Sequence, residues 1–429
     1  MAVDEKRSLS WPRTDLTRWR LTSTDGAHRW LYLSKEDSEQ QSQSAAERHF
    51  LGLQKHSQQA PTFPTPKTYP ESAINGLLSY QGLQLNDGHW GCGFGGPSFI
   101  LPGLIFALYV TKTPLLPEWK TEIRSYIAHH VNSDGGWGLF PGATTTAWAT
   151  ALYYVLLRLL GVEALDPLAA QARKCLLALG GAIGVPQWGK FWLCVLNLYQ
   201  WEGVNPVPPE LWLLPEWLPF HPSRWWVQTR YIYCPISYLY VNKCQMPLNP
   251  LLQTVREEIY VQPFSSIRFE DHSSTVAATD MKVMPSMILK LTYPLLRIWD
   301  TYLRPTWLHR EVNDRLRDLI RQHDENTAYN DMVSTDQGLI MAMLYFDEGE
   351  ESINLAKHRE RFPKFLWQAA EGMTVSSTDG AQVWDTALSV LAVVEAGLVQ
   401  DARFREAMLK ALDFLEKQQL RENLTDPYR

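Results

Sequence analysis

Apolar residues recur at helical spacing over long stretches of this chain. Between Thr144 and Leu160 they stand at 148, 151, 152, 155, 156, 159 and 160, which is one face of an α-helix. Thr144 or Thr145 is the predicted N-terminal cap of this helix, and Gly161 is its predicted end. No stretch alternates apolar and polar residues clearly, as a half-buried strand would. The pattern therefore predicts the all-α fold class.

Five further helices are predicted from the same spacing. The helix over 191–201 is apolar nearly all round, so we expect it to be buried. The helix over 385–396 is expected to begin with Asp385 or Thr386 as its cap and to stop at Gly397. The other three predicted helices cover 284–302, 311–322 and 404–419.

Two short segments that contain Gly and Trp interrupt the helical pattern, and each one precedes a long apolar stretch. The first places Gln84, Gly88 and Trp90 in the order Gln, three residues, Gly, one residue, Trp. The second, without the Gln, contains Gly135 and Trp137. Glycine permits a positive φ or a close backbone approach, and an indole can seal the end of a neighbouring helix. These repeated turns predict an array of helix pairs that stack side by side.

The first 70 residues differ from the rest in composition. Residues 36–46 are rich in Ser, Gln and Glu, and four prolines follow at 61, 64, 66 and 70. This composition predicts an arm over 1–70 that is partly extended or disordered. Within the arm, 14–21 and 30–33 are apolar enough to dock on another part of the chain. The Pro- and Trp-rich region 203–222 is expected to be a packed connecting segment.

Charge and cysteine content narrow the function classes. A net charge of −6 over 429 residues argues against a nucleic-acid partner. The five cysteines form no C-x-x-C pair, which suits a reducing compartment such as the cytoplasm. The first 15 residues have no apolar core of signal-peptide type. The longest apolar run, 99–110, is too short to span a bilayer. Any membrane contact is therefore expected from one side only.

Most polar clusters have a structural interpretation. Asp87 and Asp134 precede the Gly-x-Trp turns and are expected to hold them. The run His323-Asp324-Glu325 is interpreted as a solvated helix end. No group of Cys and His has zinc-ligand spacing, so no metal site is predicted.

Aromatic residues are the remaining candidates for chemistry, because 18 Trp is far above ordinary usage. They permit two interpretations: a core of packed rings, or a cavity whose ring faces stabilise cations without offering a nucleophile. Both interpretations stay open at this point. The residues concerned are Trp192, Tyr199, Trp201, Trp225, Trp226, Tyr231, Tyr233 and Trp384.

Several segments resemble the oxidosqualene cyclases, the lanosterol synthase group. The Trp-Gly-Lys-Phe-Trp run at 188–192 and the Asp-Gly-His-Trp run at 87–90 carry this resemblance most clearly. The other matching segments, in the same order as in the family, are 95–97, 101–104, 134–139, 199–203, 324–327 and 380–387. The similarity covers nearly the whole chain, which is identified as a member of this family.

The resemblance implies a fold of α/α barrels in which QW-type turns clamp helix pairs. It implies one barrel over 71–375 and the start of a second, incomplete barrel over 376–429. In that family an acidic side chain protonates the epoxide of a squalene-derived chain, (S)-2,3-oxidosqualene, and aromatic rings shelter the carbocations that follow. The resemblance implies no cofactor. It also implies one-sided contact with the endoplasmic reticulum membrane or a lipid droplet.

Five residues of this chain match the family's substrate pocket. Trp192, Trp226 and Trp384 fall where the family places pocket aromatics. Phe94 stands where the family usually has Tyr, and Gln228 stands where lanosterol-forming members usually have His. These two departures bear on the product that the pocket would form.

The family's acid motif, Asp-Cys-Thr-Ala-Glu, does not occur in these 429 residues. Asp385 lies in a different family segment and is interpreted as a helix cap, so no catalytic residue is assigned. We expect the isolated chain to be inactive, because its cavity would lack a proton donor and would be open to water. The alternatives are a non-catalytic lipid-binding protein, a half that pairs with a separately encoded second chain, and an unrelated α/α toroid such as a glycosidase or a prenyltransferase subunit.

Overall fold

The computed structural model describes residues 11–24, 26–53, 63–282, 286–378 and 381–422. These ranges are mainly helical, which confirms the all-α class. Pro61, Met284 and Gly380, which enter the predictions above, lie outside the described residues. The helices are α1 Lys35–Gln40, α2 Ala45–Phe50, α3 Tyr69–Gln81, α4 Ile100–Val110, α5 Pro117–His129, α6 Ala147–Leu159, α7 Pro167–Ala178, α8 Gln187–Val195, α9 Val227–Val241, α10 Pro250–Glu258, α11 Met287–Ile298, α12 Thr306–Thr327, α13 Ser334–Glu348, α14 Ile353–Arg361, α15 Ala381–Glu395 and α16 Ala402–Gln418. The strands are β1 Trp19–Thr24, β2 Ala27–Tyr32, β3 Leu366–Ala369 and β4 Gly372–Val375.

Two antiparallel hairpins are present that the sequence pattern did not predict. Strand β1 pairs with β2 in a register that sets Leu21 opposite Trp30, and β3 pairs with β4. Strand β2 alternates in burial over its first four residues, but β1 does not, and β3 is almost entirely buried. A strand buried on both faces has no period of two, so its pattern cannot be distinguished from a short helix.

Several helix ends differ from the prediction. Helix α6 is capped by Thr146 rather than by Thr144 or Thr145: its Oγ1 accepts from the Ala149 backbone N–H at 3.2 Å. The carboxylate of the distant Asp280 also accepts from the first N–H of the helix, at 2.9 Å from the Ala147 nitrogen. The Thr146 hydroxyl and the Asp280 carboxylate both accept at this end and fix where the helix begins. Only Thr146 is adjacent to the helix in sequence.

The predicted cap of the last-but-one helix is wrong. Helix α15 is already helical at Ala381, so Asp385 and Thr386 lie inside it. The Thr386 hydroxyl donates to the Gln382 carbonyl within the helix at 2.6 Å. The predicted stop is confirmed, because Gly397 follows the helix with a φ of 70°.

Helix α8 is shorter than predicted. It spans Gln187–Val195 instead of 191–201, because Asn197 has a φ of 61° and turns the chain away. Helix α12 is longer than predicted at both ends, with Pro305 before its first residue.

The main core is built around α4, whose residues are almost all buried. It packs closely against α13, where a Cβ on Gly338 would stand 3.3 Å from that of Ala107. A helix that is apolar on all sides suits this central position. Within the described part of the chain, no helix combines the length and the apolar character needed to cross a membrane.

The two Gly-x-Trp turns have the same geometry. The indole N–H of Trp90 donates to the Tyr80 carbonyl at 2.9 Å, and that of Trp137 donates to the Ile127 carbonyl at 3.0 Å. Each acceptor lies ten residues before its Trp, at or near the end of the preceding helix. Each Trp thereby supplies one donor to a helix end that has unpaired carbonyls.

Glycine is required in both turns. Gly88 and Gly135 have φ values of 100° and 88°. A Cβ at Gly88 would collide with the Lys410 carbonyl of α16, and one at Gly135 would collide with the Gln171 side chain of α7. Gln84 adds a bond that the second turn lacks: its Nε2 donates to the Ala407 carbonyl of α16 at 2.9 Å. Each turn thus clamps a helix that comes later in the chain.

Helix α3 packs with the last two helices rather than with its sequence neighbours. Trp90, Ala407 and Ala411 form a small core, with Leu83 and Val390 against it, separate from the main core. The predicted boundaries at 70/71 and 375/376 stay predictions, but the turn after α3 joins the two regions that they separate.

The N-terminal region is packed onto the main body from residue 11 onward, in its described parts. Trp19 and Trp30 are buried in the main core. Arg13 forms an ion pair at 2.8 Å with the buried carboxylate of Glu122 on α5, which also accepts from Thr14. An unpaired buried carboxylate is costly, so this contact holds the N-terminal region in place.

Candidate functional site

Phe94 and Trp384 lie together. Their ring centroids are 6.0 Å apart, and the rings are 37% and 56% exposed. The backbone N–H of Ser377 donates to the Phe94 carbonyl at 2.8 Å, which fixes the loop that carries Phe94 after the first turn. Two predicted pocket residues from distant parts of the chain are therefore neighbours.

Trp192 is fully buried and belongs to a continuous run of rings. Its ring centroid lies 5.8 Å from that of Phe191, which in turn lies 5.6 Å from Trp201. Neighbouring ring centroids along the run are 4.6 to 6.3 Å apart. We call this run the aromatic wall; its members are Phe99, Trp148, Trp188, Phe191, Trp192, Trp201 and Tyr240.

The aromatic wall has no polar partner for its indoles among the described residues. The Nε1 atoms of Trp148, Trp188, Trp192 and Trp201 are all buried without a hydrogen-bond partner there. Buried indole N–H groups usually find an acceptor. At these four indoles the described structure places no hydrogen-bonding group, whereas the hydroxyl of Tyr240, at one end of the wall, donates to the Asp300 carboxylate at 2.7 Å. The indole faces are therefore the part of the wall that could stabilise a cation without offering a nucleophile.

Lys190 positions α8 and with it Trp192. Its ammonium group is buried and donates to the carbonyls of His272 and Thr275 at 2.6 and 2.8 Å. Burial lowers the pKa of Lys190 to about 8. Three neighbouring carbonyls, including that of Ser273 at 3.4 Å, satisfy a group that would otherwise be costly to bury.

Trp226 and Gln228 lie at the start of α9 and make no ring contact with the other three predicted residues in the described structure. Trp226 occupies the cap position of the helix and is 69% exposed. The structure thus brings Phe94 and Trp384 together, buries Trp192 in the aromatic wall and leaves Trp226 and Gln228 apart. The pocket roles of all five residues stay predictions.

A buried cluster of His and Asp was missed by sequence reasoning. His323 and Asp324 are not a solvated helix end, as interpreted above: they are only 6% and 2% exposed. His358 on α14 lies 3.3 Å from an Asp324 oxygen and 3.1 Å from an oxygen of Asp331. His323 lies 3.2 Å from the other Asp331 oxygen and 3.8 Å from Asp336. We call these five residues the His–Asp cluster.

The cluster balances its charge internally. Burial alone would lower the pKa of His358, but Asp331 and Asp324 outweigh it and raise its pKa to about 10. Burial and the charge of Asp331 raise the pKa of Asp336 to about 7, against the opposing effect of His323. Burial would raise the pKa of Asp331, but both imidazoles hold it well below its usual range. A protonated His358 is thus the counter-ion of two carboxylates.

Oxygens of Asp324 and Asp331 and a nitrogen of His358 lie within 4.8 Å of one another, as ligands of a metal ion could. A metal would have to displace a proton from His358, whose raised pKa opposes that exchange. The donor atoms therefore fit an internal ion network better than a metal site.

The loop that carries Asp331 has an unusual backbone conformation and lies near the predicted pocket. Ala328, Tyr329 and Asp331 have φ values of 49°, 61° and 55° in the loop between α12 and α13. The N–H of Ser334 after this loop donates to the carbonyl of Ser377, the residue that also holds the Phe94 loop. No local sequence pattern reveals the His–Asp cluster, since His358 is separated from Asp324 by more than thirty positions.

Comparisons with known proteins agree with this architecture. The family model of the squalene-hopene cyclase N-terminal domain matches residues 73–371. The chain is 42% identical to lanosterol synthase of Pneumocystis carinii over 417 residues, which is 96% of this chain and 58% of that protein. It is 43% identical to lanosterol synthase erg7A of Aspergillus fumigatus over 442 residues, 99% of this chain and 58% of that protein. Protostadienol synthase A of Aspergillus fumigatus is 38% identical over 411 residues, 96% of this chain and 55% of its own length. The chain thus spans less than two thirds of the relatives that it matches.

Proposed function

Because this chain belongs to the oxidosqualene cyclase family, we propose that it supplies the aromatic wall of a cyclase cavity in sterol or triterpenoid formation. The substrate is a squalene-derived epoxide, (S)-2,3-oxidosqualene. The observation that supports this most directly is the run of buried rings whose indole N–H groups have no acceptor in the described residues.

The chemistry of ring closure requires such a surface. Opening of a protonated epoxide leaves a carbocation, which any nearby water or carboxylate would capture. Ring faces attract cations through their quadrupole and form no bond to them. The contribution of the aromatic wall is therefore to hold the folded polyene and to lower the energy of the cations without ending the reaction.

We expect the isolated 429-residue protein to bind oxidosqualene but not to cyclise it. Trp226, Trp384 and Phe94, three predicted pocket residues outside the aromatic wall, are 69%, 56% and 37% exposed, so water reaches this part of the predicted pocket. The measurement is incubation of the pure protein with oxidosqualene, followed by gas chromatography and mass spectrometry of the extract. Any cyclic triterpene above a heat-denatured control would overturn the expectation.

Binding of the substrate can be measured separately from its cyclisation. A squalene analogue that lacks the epoxide should quench the intrinsic Trp fluorescence of the wild type and do so less in Trp192→Leu, which removes one ring of the wall. Trp307→Leu, which changes an exposed Trp outside the wall, is the matched control. Equal quenching in all three proteins would argue against the aromatic wall as the binding surface.

A second candidate is a half-enzyme that pairs with a separately encoded chain. It is favoured by apolar side chains that stay exposed on the last two helices: Leu388 and Leu391 on α15, and Leu409 and Leu412 on α16, are 49 to 58% exposed. Exposed apolar surface of this kind is typical of an interface. Co-purification of a partner that carries the acid motif, with cyclase activity in the complex only, would distinguish this candidate.

We propose one-sided membrane contact through α11, with localisation at the endoplasmic reticulum membrane or a lipid droplet. None of the residues of this helix is buried, and Met287, Ile288, Leu291 and Leu295 are 67 to 73% exposed. An apolar face of this size on an amphipathic helix can insert into the headgroup region of a lipid surface.

The double substitution Leu291→Asp with Leu295→Asp is expected to reduce vesicle binding about tenfold or more, because two charges would have to enter the apolar layer. Flotation with phosphatidylcholine vesicles measures it. Leu409→Asp with Leu412→Asp is the matched control, since those leucines are exposed to a similar degree on α16. If both double variants float as the wild type does, α11 is not the contact.

A further inference from the structure

A cavity of about 640 Å³ lies between α9, α12 and the connecting segment 212–224. Neither Phe94, Trp192 nor Trp384 lines it, so it is separate from the aromatic wall and from the Phe94–Trp384 pair. Its volume lies in the range of small-molecule sites in proteins. The proposed function makes no use of it.

The floor of the cavity is apolar and buried. Cys234 of α9, Ile320 of α12 and Ile340 of α13 line it and are 4%, 4% and 0% exposed. The indole of Trp212 forms part of the wall and is also buried. These residues offer contact to a hydrocarbon chain, beside the polar side chains of Gln322, His323 and Asn326, which line the same cavity.

Three guanidinium groups line the same cavity without a carboxylate partner in the described structure. Arg224 donates to the Glu216 carbonyl and Arg230 to the Ser223 carbonyl, both at 3.1 Å. Arg315 has neither a hydrogen bond nor an ion pair within the described ranges. Glu216 also lines the cavity, but its carboxylate forms no ion pair there.

A neighbour on the same helix, in contrast, is paired with carboxylates. Arg317, two residues after Arg315, binds Asp347 at 2.7 Å and Asp314 at 2.9 Å. Arg321 on the same helix is likewise paired, with Asp318. Three guanidinium groups against the single carboxylate of Glu216 give the lining an excess of positive charge, which attracts anions.

His221 of the lining is affected by charges of both signs. Burial lowers its pKa, the charge of Glu216 opposes this, and the charges of Arg315 and Arg224 lower it further. Two polar groups of the lining also lack partners among the described residues: the buried Nε1 of Trp212 and the buried Oγ1 of Thr327.

We propose that this cavity binds an amphiphilic anion, with a phosphate or carboxylate head at the three arginines and an apolar chain on the floor of Cys234, Ile320 and Ile340. Arginine forms paired hydrogen bonds to both kinds of head group. The combination explains why cationic and apolar linings meet in one cavity. It would add a lipid-ligand site that acts beside the aromatic wall and does not depend on it.

The test is isothermal titration of the purified chain with dodecyl phosphate below its micelle concentration. We expect saturable binding of one molecule, and at least about tenfold weaker binding in Arg315→Gln and in Arg230→Gln, since each loses charge-assisted hydrogen bonds. Arg310→Gln is the matched control, because Arg310 is exposed on the same helix and does not line the cavity. Circular dichroism of each variant checks its fold.

Three further ligands test the contributions of the anionic head group and of the apolar chain separately. Dodecanoate should bind, dodecyltrimethylammonium should not, and inorganic phosphate alone should bind at least about tenfold more weakly than dodecyl phosphate. The proposal is overturned if the ammonium probe binds as well as the phosphate probe, if inorganic phosphate binds equally well, or if Arg315→Gln and Arg230→Gln bind as Arg310→Gln does. None of these outcomes depends on oxidosqualene, so failure of the proposed function would leave the test intact.

Discussion

Replacement of His358 by glutamine is expected to destabilise the protein by about 3–5 kcal/mol at neutral pH. The protonated imidazole is the counter-ion of Asp324 and Asp331, which lie 3.3 and 3.1 Å from its two nitrogens. Removal of one partner of a buried ion pair leaves the other charge uncompensated in a medium of low polarity. Urea unfolding followed by circular dichroism measures the change.

The same cluster predicts how stability depends on pH. The folded-state pKa of His358 is about 10, above its unfolded value of about 6.5, so the folded state binds the proton more tightly. Its contribution is therefore complete below about pH 6.5 and is lost as the pH rises towards 10. In His358→Gln this loss should be absent, and the free energies of unfolding of variant and wild type should converge at high pH.

Asp336→Asn is the control for this interpretation. The pKa of Asp336 is raised to about 7, so its ionisation beside Asp331 reduces stability as the pH rises from about 4 to 7. An asparagine keeps an acceptor for the Val333 backbone N–H, which now lies 2.9 Å from the carboxylate. We expect the variant to gain stability over the wild type at about pH 8 and to match it at about pH 4. A loss at both pH values would show that the carboxylate acts only as a cap of α13.

Trp137→Ala is the second substitution with a large expected effect, also about 3–5 kcal/mol. The indole is 1% exposed in the main core, lies 5.3 Å from the ring of Tyr153, and donates to the Ile127 carbonyl at 3.0 Å. Its removal leaves a large cavity where α5 meets α6, and it leaves a buried carbonyl without its donor. Differential scanning calorimetry should show a lower melting temperature for the whole protein.

Two further substitutions separate the effect of the indole N–H from that of the ring, and the first turn from the second. Trp137→Phe keeps most of the apolar volume and loses the N–H, so its cost should be about 1–2 kcal/mol. Trp90→Ala removes the equivalent ring of the first turn, but that ring lies in the small core with Ala407 and Ala411. Hydrogen exchange should therefore increase in α3, α15 and α16 of that variant and much less in α4. An equal increase of hydrogen exchange in α4 would contradict the presence of two separate cores.

The sequence by itself determined the helical class, the two Gly-x-Trp turns and membership of the oxidosqualene cyclase family. These follow from local properties: the periodicity of apolar residues, the positive φ that only glycine adopts easily, and short runs such as 188–192. The stop at Gly397 is of the same kind.

Only the tertiary structure decided which side chains meet. The cap of α6 by Asp280, the contact of Phe94 with Trp384 and the pairing of His358 with Asp324 all join residues far apart in the chain. A charged pair such as His323-Asp324 looks solvated in sequence because its counter-charges come from other elements. Burial and charge compensation depend on three-dimensional neighbours, and for that reason the fold class could be predicted from the pattern while the ion network and the arginine-lined cavity could not.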